Sequence, residues 1–444
     1  MSGIAEVLLS LGFRVSGSDL KLGEPCRRLE RKGATIFQGH AAENLPETAS
    51  LLVYSSAIRD TNPEMVEARR RGIPVIRRAE VLAELMRHKF GVAVAGSHGK
   101  TTTTSMIAAV MEAGGLDPTV IIGGQVKSIE SGAKHGQSDY LVAESDESDR
   151  SFLLLRPTIA VVTNIDAEHL SAYASLTDLE ESFAQFISSV PFYGLAVLCC
   201  DDKKVRDLGE QYGRRKIFYG LSPDAQIRAT NISQNRNVTS FDVLVHGEDG
   251  LHIDLPLPGK HLLTNSLAAI AVGLEFGISR DVISRALGSF TGVSRRVEEV
   301  GITHGVSVIN DYGHHPTEIR ATIAAVREGW CREGGKLHVV FQPHRYTRTR
   351  DCFVEFLSAF QEADTLIITD IYAASEEPLD GISSAILVDA LGHPSKRHIG
   401  ELEDVPAAIV TAVRPGDTVL CLGAGSIGSL PEKILTALSN ALGK

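Results

Sequence analysis

Short apolar runs alternate with helical patterns along most of the chain. Residues 92–95 and 159–162 are runs of four apolar residues, the length of a buried strand. Between such runs, segments such as residues 101–110 repeat apolar positions at the spacing of a helix. Because strands that alternate with helices typically form parallel sheets, the pattern predicts an α/β fold with doubly wound sheets.

The alternation divides into three segments, and a chain of 444 residues has the length of about three ordinary domains. We expect an N-terminal domain over residues 1–90, a central domain over 91–293 and a C-terminal domain over 294–444. The first and third domains are expected to have Rossmann-like sheets. In the third segment, strand patterns lie at residues 306–309, 337–341, 365–369 and 418–422.

The first segment begins with a helical pattern rather than a strand. Ile4, Val7, Leu8 and Leu11 share one face of that helix, and no strand pattern precedes them. We therefore expect the N-terminal domain to lack the first strand of a doubly wound sheet, or the start of the protein to lie upstream. Strand patterns at residues 13–15 and 51–54 are each followed by small polar residues, where open α/β sheets bind ligands.

The sequence GSHGKT, residues 96–101, joins the predicted strand at 92–95 to a predicted helix. Glycine-bounded loops at this position place backbone N–H groups and the positive end of a helix around phosphate groups. Lys100 would add a positive charge at the terminal phosphates, and the Thr101 hydroxyl suits Mg²⁺. Val94 occupies the place of the first glycine of the full motif. The alternative is a glycine turn with a surface lysine, but the flanking elements favour nucleotide binding.

Acidic residues follow the next strand pattern, at residues 140–143. Four acids lie within the six residues 144–149, and carboxylate oxygens are preferred Mg²⁺ ligands. Glu144 is therefore a candidate metal ligand, the alternative being a solvated acidic loop. The strand at 159–162 is followed by TNIDAEH, which ends at His169. His169 could be structural or functional, and polar clusters at three strand ends favour a metal–phosphate site.

Polar clusters in the rest of the chain suggest substrate contacts. Asn265 precedes an alanine-rich helix, and it could either contact adenine or start the helix. The segment NDYGHHPTE, residues 310–318, opens another helix, and its two histidines lack an evident third ligand for zinc. Arg345 and Arg348 follow a strand, and guanidinium groups bind carboxylates through two parallel hydrogen bonds. These arginines could hold an amino-acid carboxylate, or they could form a solvated basic turn.

Composition narrows the class of partner. The formal net charge of −11 argues against nucleic acid, whose phosphates require a basic surface. No apolar run reaches the ~20 residues that cross a bilayer, and no signal-peptide pattern is present, so we expect no membrane partner and a cytoplasmic location. The six cysteines have no metal-ligand spacing and are expected to be reduced.

Together and in this order, the motifs resemble the Mur ligase family. They are AGSHGKTTTT, AESDESD, TNIDAEH, the segment from His261 to Asn265, NDYGHHPTE and QPHRYTRT. The likeness covers essentially the whole chain and is closest to the members that join L-alanine to UDP-N-acetylmuramate. It implies three domains, which bind the UDP-sugar, ATP and the incoming amino acid. It also implies an amide ligase that transfers the γ-phosphoryl group of ATP to a carboxylate before an amine displaces phosphate.

The resemblance implies a role for each matching position. Catalytic roles are implied for Lys100, Glu144, His169, His314 and Arg345. The implied Mg²⁺ ligands are Thr101, Glu144 and His169. The implied ATP-binding residues are Gly96, Ser97, His98, Gly99, Lys100, Thr101, Thr102, Asn265 and Asp311. The implied L-alanine pocket is formed by Tyr312, His314, Arg345 and Arg348. The implied UDP-sugar site contains Ser18, Asp19, His40, Ser55 and Ser56.

The chain departs from the family pattern at two places. The family opens with a strand and a glycine-rich loop, GIGGIGM, whereas this chain begins at the last residue of that loop. Leu262 replaces the Asn that the family usually has beside the His. The alternatives are a related ligase that recycles murein tripeptide onto the same UDP-sugar and a P-loop phosphotransferase. We expect small-molecule substrates and a monomer or weak homodimer.

Overall fold

The structure, a computed structural model, describes residues 1–55, 57–126, 131–167, 172–235, 237–331 and 334–442. Strands and helices alternate through most of these residues, so the predicted α/β class is confirmed. The chain divides into two compact units. The first contains residues 1–230, 242–252 and 264–290, and the second contains residues 231–241, 253–263 and 291–444.

The N-terminal segment contributes two separate pairs of parallel strands to the first unit. Its elements are α1 (Ser2–Ser10), β1 (Ser16–Asp19), α2 (Glu24–Arg31), β2 (Thr35–Gln38), β3 (Leu52–Tyr54), α3 (Pro63–Arg70), β4 (Val75–Arg77) and α4 (Arg78–Arg87). β1 pairs with β2, and β3 pairs with β4. The predicted N-terminal helix is therefore confirmed as α1.

One strand boundary in this segment corrects the sequence pattern. The pattern placed a strand at residues 13–15, but Phe13 is 60% exposed and β1 begins at Ser16. Because the apolar side chain that suggested the strand is not buried there, it does not fix the strand's position. Ser18 and Asp19 consequently lie within β1 rather than in the loop that follows it.

The central segment forms a large and mostly parallel sheet. Its elements are β5 (Phe90–Ala95), α5 (Lys100–Ala113), β6 (Thr119–Val126), β7 (Ser131–Lys134), β8 (Tyr140–Glu144), β9 (Ile159–Val162), α6 (Leu176–Ser188), β10 (Leu195–Cys199), α7 (Lys203–Gln211), β11 (Lys216–Gly220), β12 (Ile227–Asn235), β13 (Val238–Val245), β14 (Glu248–Leu255), α8 (Lys260–Glu275) and α9 (Arg280–Gly288). Within the described residues the strand order is β14-β13-β12-β11-β10-β9-β5-β8-β6-β7. β5 lies parallel to both β8 and β9, so the carboxyl ends of these three strands meet at one edge.

Burial explains the position of β5 inside the sheet. Residues 92–95 are 0% exposed, as expected for a parallel strand that is covered on both faces. Ala93 and Ala95 belong to a core cluster that also contains Phe152 and Phe183. Ile4 of α1 belongs to the same cluster, so the apolar face of the N-terminal helix packs into the core of the first unit.

The C-terminal segment forms a second sheet. Its elements are β15 (Glu298–Thr303), β16 (Val306–Asp311), α10 (Pro316–Trp330), β17 (Leu337–Phe341), α11 (Tyr346–Asp351), α12 (Phe353–Phe356), β18 (Thr365–Ile368), α13 (Ser384–Ala390), β19 (Lys396–His398), α14 (Val405–Ala412), β20 (Thr418–Leu422) and α15 (Leu430–Leu442). The strand order is β15-β16-β20-β17-β18-β19, and only the β15–β16 pair among these described strands is antiparallel.

All four strands that the sequence predicts for the C-terminal sheet are confirmed, as β16, β17, β18 and β20. The two strands that the pattern missed, β15 and β19, are those at the edges of the sheet. Ile302 of β15 is 61% exposed, so this strand has no continuous apolar run to reveal it. No helix in the described part of the chain is long and apolar enough to cross a membrane.

We expect Phe183→Ala to destabilise the first unit strongly. Phe183 is 0% exposed and its ring meets that of Phe152 edge to face at 5.1 Å. Truncating a buried phenylalanine costs about 3–5 kcal/mol of unfolding free energy. The matched control is Phe192→Ala, because Phe192 is 86% exposed and its loss should cost less than about 0.5 kcal/mol. Urea unfolding of both variants measures the difference, and equal losses would contradict the assigned core.

Candidate active site

The predicted phosphate loop joins β5 to α5, and its two glycines are required by the local structure. Gly96 has φ +139°, and a Cβ there would lie 2.0 Å from the Thr163 hydroxyl oxygen. Gly99 has φ +81°, in the left-handed region that favours glycine. The loop can therefore approach its neighbours closely only with glycine at these positions.

Residues of the segment that follows β9 form hydrogen bonds with the phosphate loop and hold it in place. The Asn164 amide oxygen accepts a hydrogen bond from the His98 N–H at 2.8 Å, and its amide nitrogen donates to the His98 carbonyl at 3.0 Å. The Thr163 hydroxyl donates to the same carbonyl at 2.6 Å. The Ser97 hydroxyl accepts from the Asp166 N–H at 2.8 Å. Asn164 was not predicted as a site residue, although its position directly beyond a buried strand was the available signal.

Lys100 is held by two backbone carbonyls and one carboxylate. Its Nζ lies 2.7 Å from the Gly96 carbonyl, 3.1 Å from the Ser97 carbonyl and 2.8 Å from the Glu147 carboxylate. Burial opposes the charge on Lys100, but the attraction of Glu147 outweighs it and raises the pKa of Lys100. Burial also raises the pKa of the Glu147 carboxyl to about 7. Glu147 is 1% exposed. It was not predicted as a site residue, although it is one of the four acids within residues 144–149.

Thr101 and Glu144 meet at the end of β8. The Thr101 hydroxyl lies 3.1 Å from both carboxylate oxygens of Glu144, and the Gly123 N–H donates to one of them at 2.7 Å. A hydroxyl beside a carboxylate supplies the hard oxygen donors that Mg²⁺ prefers, so these residues fit the ion that was predicted here. His169, the third predicted ligand, lies outside the described residues.

Thr102 and Asn265, two further residues predicted to bind ATP, are both buried. Thr102 is 4% exposed in the first turn of α5. Asn265 is 7% exposed, and its side-chain oxygen lies 2.7 Å from the point where a Cβ on Gly99 would stand. The Asn265 amide thus lies against the phosphate loop, and its contact with adenine stays a prediction.

The Asp311 carboxylate is buried in the second unit and is held there by hydrogen bonds. Its carboxylate accepts hydrogen bonds from the Val297 and Gly313 N–H groups, both at 2.7 Å, and from the Thr322 hydroxyl at 3.2 Å. The residue is 3% exposed, and burial raises the pKa of its carboxyl. The structure therefore gives Asp311 a local role in joining the start of β15 to the end of β16. Its predicted role toward ATP stays a prediction.

Two aromatic residues of the predicted amino-acid pocket, Tyr312 and His314, lie together with His344, which was not predicted. The His314 ring centre is 5.5 Å from that of Tyr312 and 5.8 Å from that of His344. Arg348 Nη1 lies 3.2 Å from His344 Nδ1. Burial lowers the pKa of His344 to about 3, and the neighbouring His314 and Arg348 lower it further. His344 is therefore neutral at pH 7.

Arg345 is exposed at the N-terminal end of α11. Its φ of +71° is unusual for a residue with a side chain, and such strained backbone is concentrated at functional sites. The Arg345 N–H donates to the Tyr372 carbonyl at 2.8 Å, and the Tyr372 N–H donates to the Pro343 carbonyl at 2.8 Å. These backbone bonds fix the start of α11, from which both predicted arginines project.

Two residues of the predicted UDP-sugar site are brought together in the first unit. The Ser18 hydroxyl lies 2.8 Å from His40 Nδ1, and it donates to the Glu64 carboxylate at 2.9 Å. Glu64 was not predicted. Asp19 is exposed and accepts from the Lys21 N–H at 3.0 Å, and the Ser55 hydroxyl accepts from the Ala57 N–H at 3.4 Å. Ser56 lies outside the described residues.

Comparison with known families gives matches along the whole chain. The profile of the Mur ligase family catalytic domain matches residues 1–90. The Mur ligase middle domain matches residues 94–273, and the Mur ligase glutamate ligase domain matches residues 295–425.

Individual relatives are similar over their full length. The UDP-N-acetylmuramate–L-alanine ligase of Syntrophus aciditrophicus is 49% identical over 441 residues, which are 99% of this chain and 91% of that protein. The protein of the same name from Sorangium cellulosum is 51% identical over 97% of this chain and 92% of its own length.

Solved structures show the same architecture. The UDP-N-acetylmuramate–alanine ligase of Thermotoga maritima matches with a TM-score of 0.84 and 29% identity over 99% of this chain and 97% of its own. A murein peptide ligase from Psychrobacter arcticus shares the fold, with a TM-score of 0.75 and 23% identity over 99% of this chain and 96% of its own. With the motifs, the three profiles and the full-length similarity in agreement, the chain belongs to the Mur ligase family.

Proposed function

We propose that this chain is an ATP-dependent ligase that joins L-alanine to the carboxylate of UDP-N-acetylmuramate, a step in the synthesis of peptidoglycan precursors. The observation that carries the proposal is the contact between the Thr101 hydroxyl, next to Lys100 at the start of α5, and the Glu144 carboxylate at the end of β8. It is supported by relatives of that name that are 49–51% identical over nearly the whole chain.

The chemistry begins with activation of a carboxylate. A carboxylate oxygen of the sugar attacks the γ-phosphorus of ATP, ADP leaves, and the sugar carries an acyl phosphate. Lys100 and the N–H groups of the phosphate loop stabilise the charge on the transferred phosphoryl group, which is the main task of a protein in such a transfer. Mg²⁺ held by Thr101 and Glu144 would neutralise further phosphate charge.

The second step forms the amide. The amine of L-alanine attacks the acyl carbon, and inorganic phosphate leaves with the bonding electrons of the acyl–oxygen bond. Arg345 and Arg348 are proposed to hold the alanine carboxylate, which leaves the amine free to react. Since the neutral His344 contributes no charge, this clamp depends on the two guanidinium groups. It supplies orientation rather than chemistry.

The direct test of the proposal is phosphate release from ATP with UDP-N-acetylmuramate and one amino acid at a time. We expect release that requires both UDP-N-acetylmuramate and L-alanine, with an amide product of the expected mass. Phosphate release that requires a murein tripeptide in place of L-alanine would instead identify the ligase that recycles murein tripeptide. A phosphorylated product formed without any amino acid would identify a phosphotransferase.

Glu144→Gln is expected to weaken Mg²⁺ activation. The substitution removes the charge of the proposed ligand but keeps its shape beside Thr101. Because even changes to residues that only orient the ligands of a metal cost ~10–100-fold in affinity, the Mg²⁺ concentration for half-maximal activity should rise at least about tenfold. Glu112→Gln in α5 is the matched control, since Glu112 pairs only with Lys134 in the structure described. An unchanged Mg²⁺ dependence in the Glu144 variant would remove this residue from the metal site.

Arg345→Ala is expected to raise the KM for L-alanine and to leave the KM for ATP unchanged. A hydrogen bond to a charged group contributes about 1.5–3 kcal/mol, so the KM should rise roughly 10–150-fold. Arg350→Ala is the control in the same helix, because Arg350 is exposed and bonds the neighbouring Asp351. Steady-state kinetics with each substrate varied in turn would detect the opposite result, a loss confined to ATP.

A further inference from the structure

Glu64 lies at the centre of a hydrogen-bonded cluster in the N-terminal segment. One carboxylate oxygen, Oε2, accepts from the Ser18 hydroxyl at 2.9 Å. The other, Oε1, accepts from the Asn44 side-chain amide at 2.9 Å and from the Ala41 N–H at 3.3 Å. His40 Nδ1 lies 2.8 Å from the Ser18 oxygen. The cluster joins β1, the segment after β2 and the first turn of α3.

The start of α3 fixes where the Glu64 carboxylate lies. The Asn62 side chain caps this helix by accepting from the Glu64 N–H at 2.9 Å and the Met65 N–H at 3.4 Å. Such a cap satisfies the free N–H groups of the first turn and holds it in place. Glu64 is therefore presented to Ser18 from a fixed backbone position.

The positions of the hydrogens in this cluster follow from simple counting. An ionised carboxylate only accepts hydrogen bonds, so the single hydroxyl hydrogen of Ser18 must point to Glu64. The Ser18 oxygen can then only accept from His40, which places a hydrogen on His40 Nδ1. In neutral His40, the other ring nitrogen, Nε2, then carries a lone pair and acts as an acceptor.

His40 Nε2 is available to a ligand. Within the described residues it makes no hydrogen bond, and it is not among their buried polar atoms that lack a partner. The His40 side chain retains 19% of its accessible surface. Solvent therefore reaches the atom whose hydrogen-bonding character the cluster determines.

We propose that Glu64 is a positioning residue that acts through Ser18 to make His40 Nε2 a hydrogen-bond acceptor for the uridine part of the nucleotide-sugar. The inference rests on the proposed function, which supplies the uridine nucleotide. A neutral acceptor repels the oxygen atoms of a diphosphate, so its partner must be a donor. Uridine offers two kinds of donor, the imide N–H of uracil and the ribose hydroxyls.

Glu64→Gln tests the hydrogen-bond direction because the orientation of the new amide is determined by its neighbours. Asn44 and Ala41 both donate to the Oε1 position, so the amide oxygen of glutamine must lie there and its NH₂ group must face Ser18. The Ser18 oxygen would then accept from glutamine and its hydroxyl would donate to His40 Nδ1. The hydrogen of His40 should consequently move to Nε2.

The tautomer of His40 can be read from two-bond proton–nitrogen correlation spectra of the nucleotide-free chain. The His40 signals among the 15 histidines are assigned by their loss in His40→Gln. We expect the Nδ1–H form in the unmodified chain and in Glu67→Gln, and the Nε2–H form in Glu64→Gln. Glu67 is the matched control, since it lies in the same helix and pairs with Arg70. An Nε2–H form in the unmodified chain, or an unchanged form in Glu64→Gln, would overturn the proposal.

Calorimetric titration then tests the ligand contact, with UDP, UDP methylated on its imide nitrogen and 2′-deoxy-UDP as probes. We expect Glu64→Gln to weaken UDP binding about threefold to tenfold, the usual worth of one neutral hydrogen bond, and Glu67→Gln to leave it unchanged. The unmodified chain should bind one of these analogues, or 3′-deoxy-UDP as a third, more weakly by a similar factor, which identifies the uracil N–H or one ribose hydroxyl as the donor.

The outcomes separate this inference from the proposed function. In Glu64→Gln the discrimination against that analogue should disappear, because both changes remove the same hydrogen bond. Discrimination that persists in the variant would overturn the uridine contact while leaving the substrate intact. If the unmodified chain bound no UDP at all, the proposed substrate would fail, and the contact with it, whatever the tautomer of His40.

Discussion

The parallel pairing of β5 with β8 and β9 is the constraint on which the nucleotide site depends. It brings three strand ends to one edge of the sheet, so the phosphate loop, Glu144 and Asn164 become neighbours although they are far apart in sequence. The close packing of this edge explains why the loop needs glycine at position 96, where any Cβ would meet Thr163. The proposed phosphate site thus depends on sheet topology as much as on the loop motif.

A second constraint is that ionisable groups buried at these sites must be either paired or neutral. The chain has a net charge of −11 and yet is proposed to bind two anions, UDP-N-acetylmuramate and ATP, and the carboxylate of L-alanine. Local positive charge must therefore be held in place, and an unpaired buried cation would be costly. Glu147 provides a partner for the buried Lys100, whose ammonium nitrogen lies 2.8 Å from the Glu147 carboxylate. In the C-terminal segment, burial lowers the pKa of His344 and keeps this ring neutral.

The N-terminal segment uses hydrogen bonds where the other sites use charge. The Ser18 hydroxyl connects His40 to Glu64, so a carboxylate determines which group Ser18 offers to the ring. This arrangement suits a ligand that is recognised by a donor group rather than by its phosphates. The three clusters therefore differ in their physical basis, which matches the different chemistry of nucleotide base, triphosphate and amino acid in the proposed reaction.

The sequence by itself determined the fold class, most of the strands that are buried on two faces, and the glycine-bounded turn after β5, because continuous apolar runs and glycine-bounded turns are local signals. The buried strand β10 was not among the predicted strands. The motifs and their order along the chain also indicated the resemblance to the Mur ligase family. Strands without such runs, such as β15, and the exact start of β1 were decided by packing. Only the tertiary structure decided that Glu147 pairs with Lys100, that Asn164 holds His98 and that Glu64 meets Ser18. These partners are distant in sequence, and a polar residue reveals its partner only when folding has removed both from water.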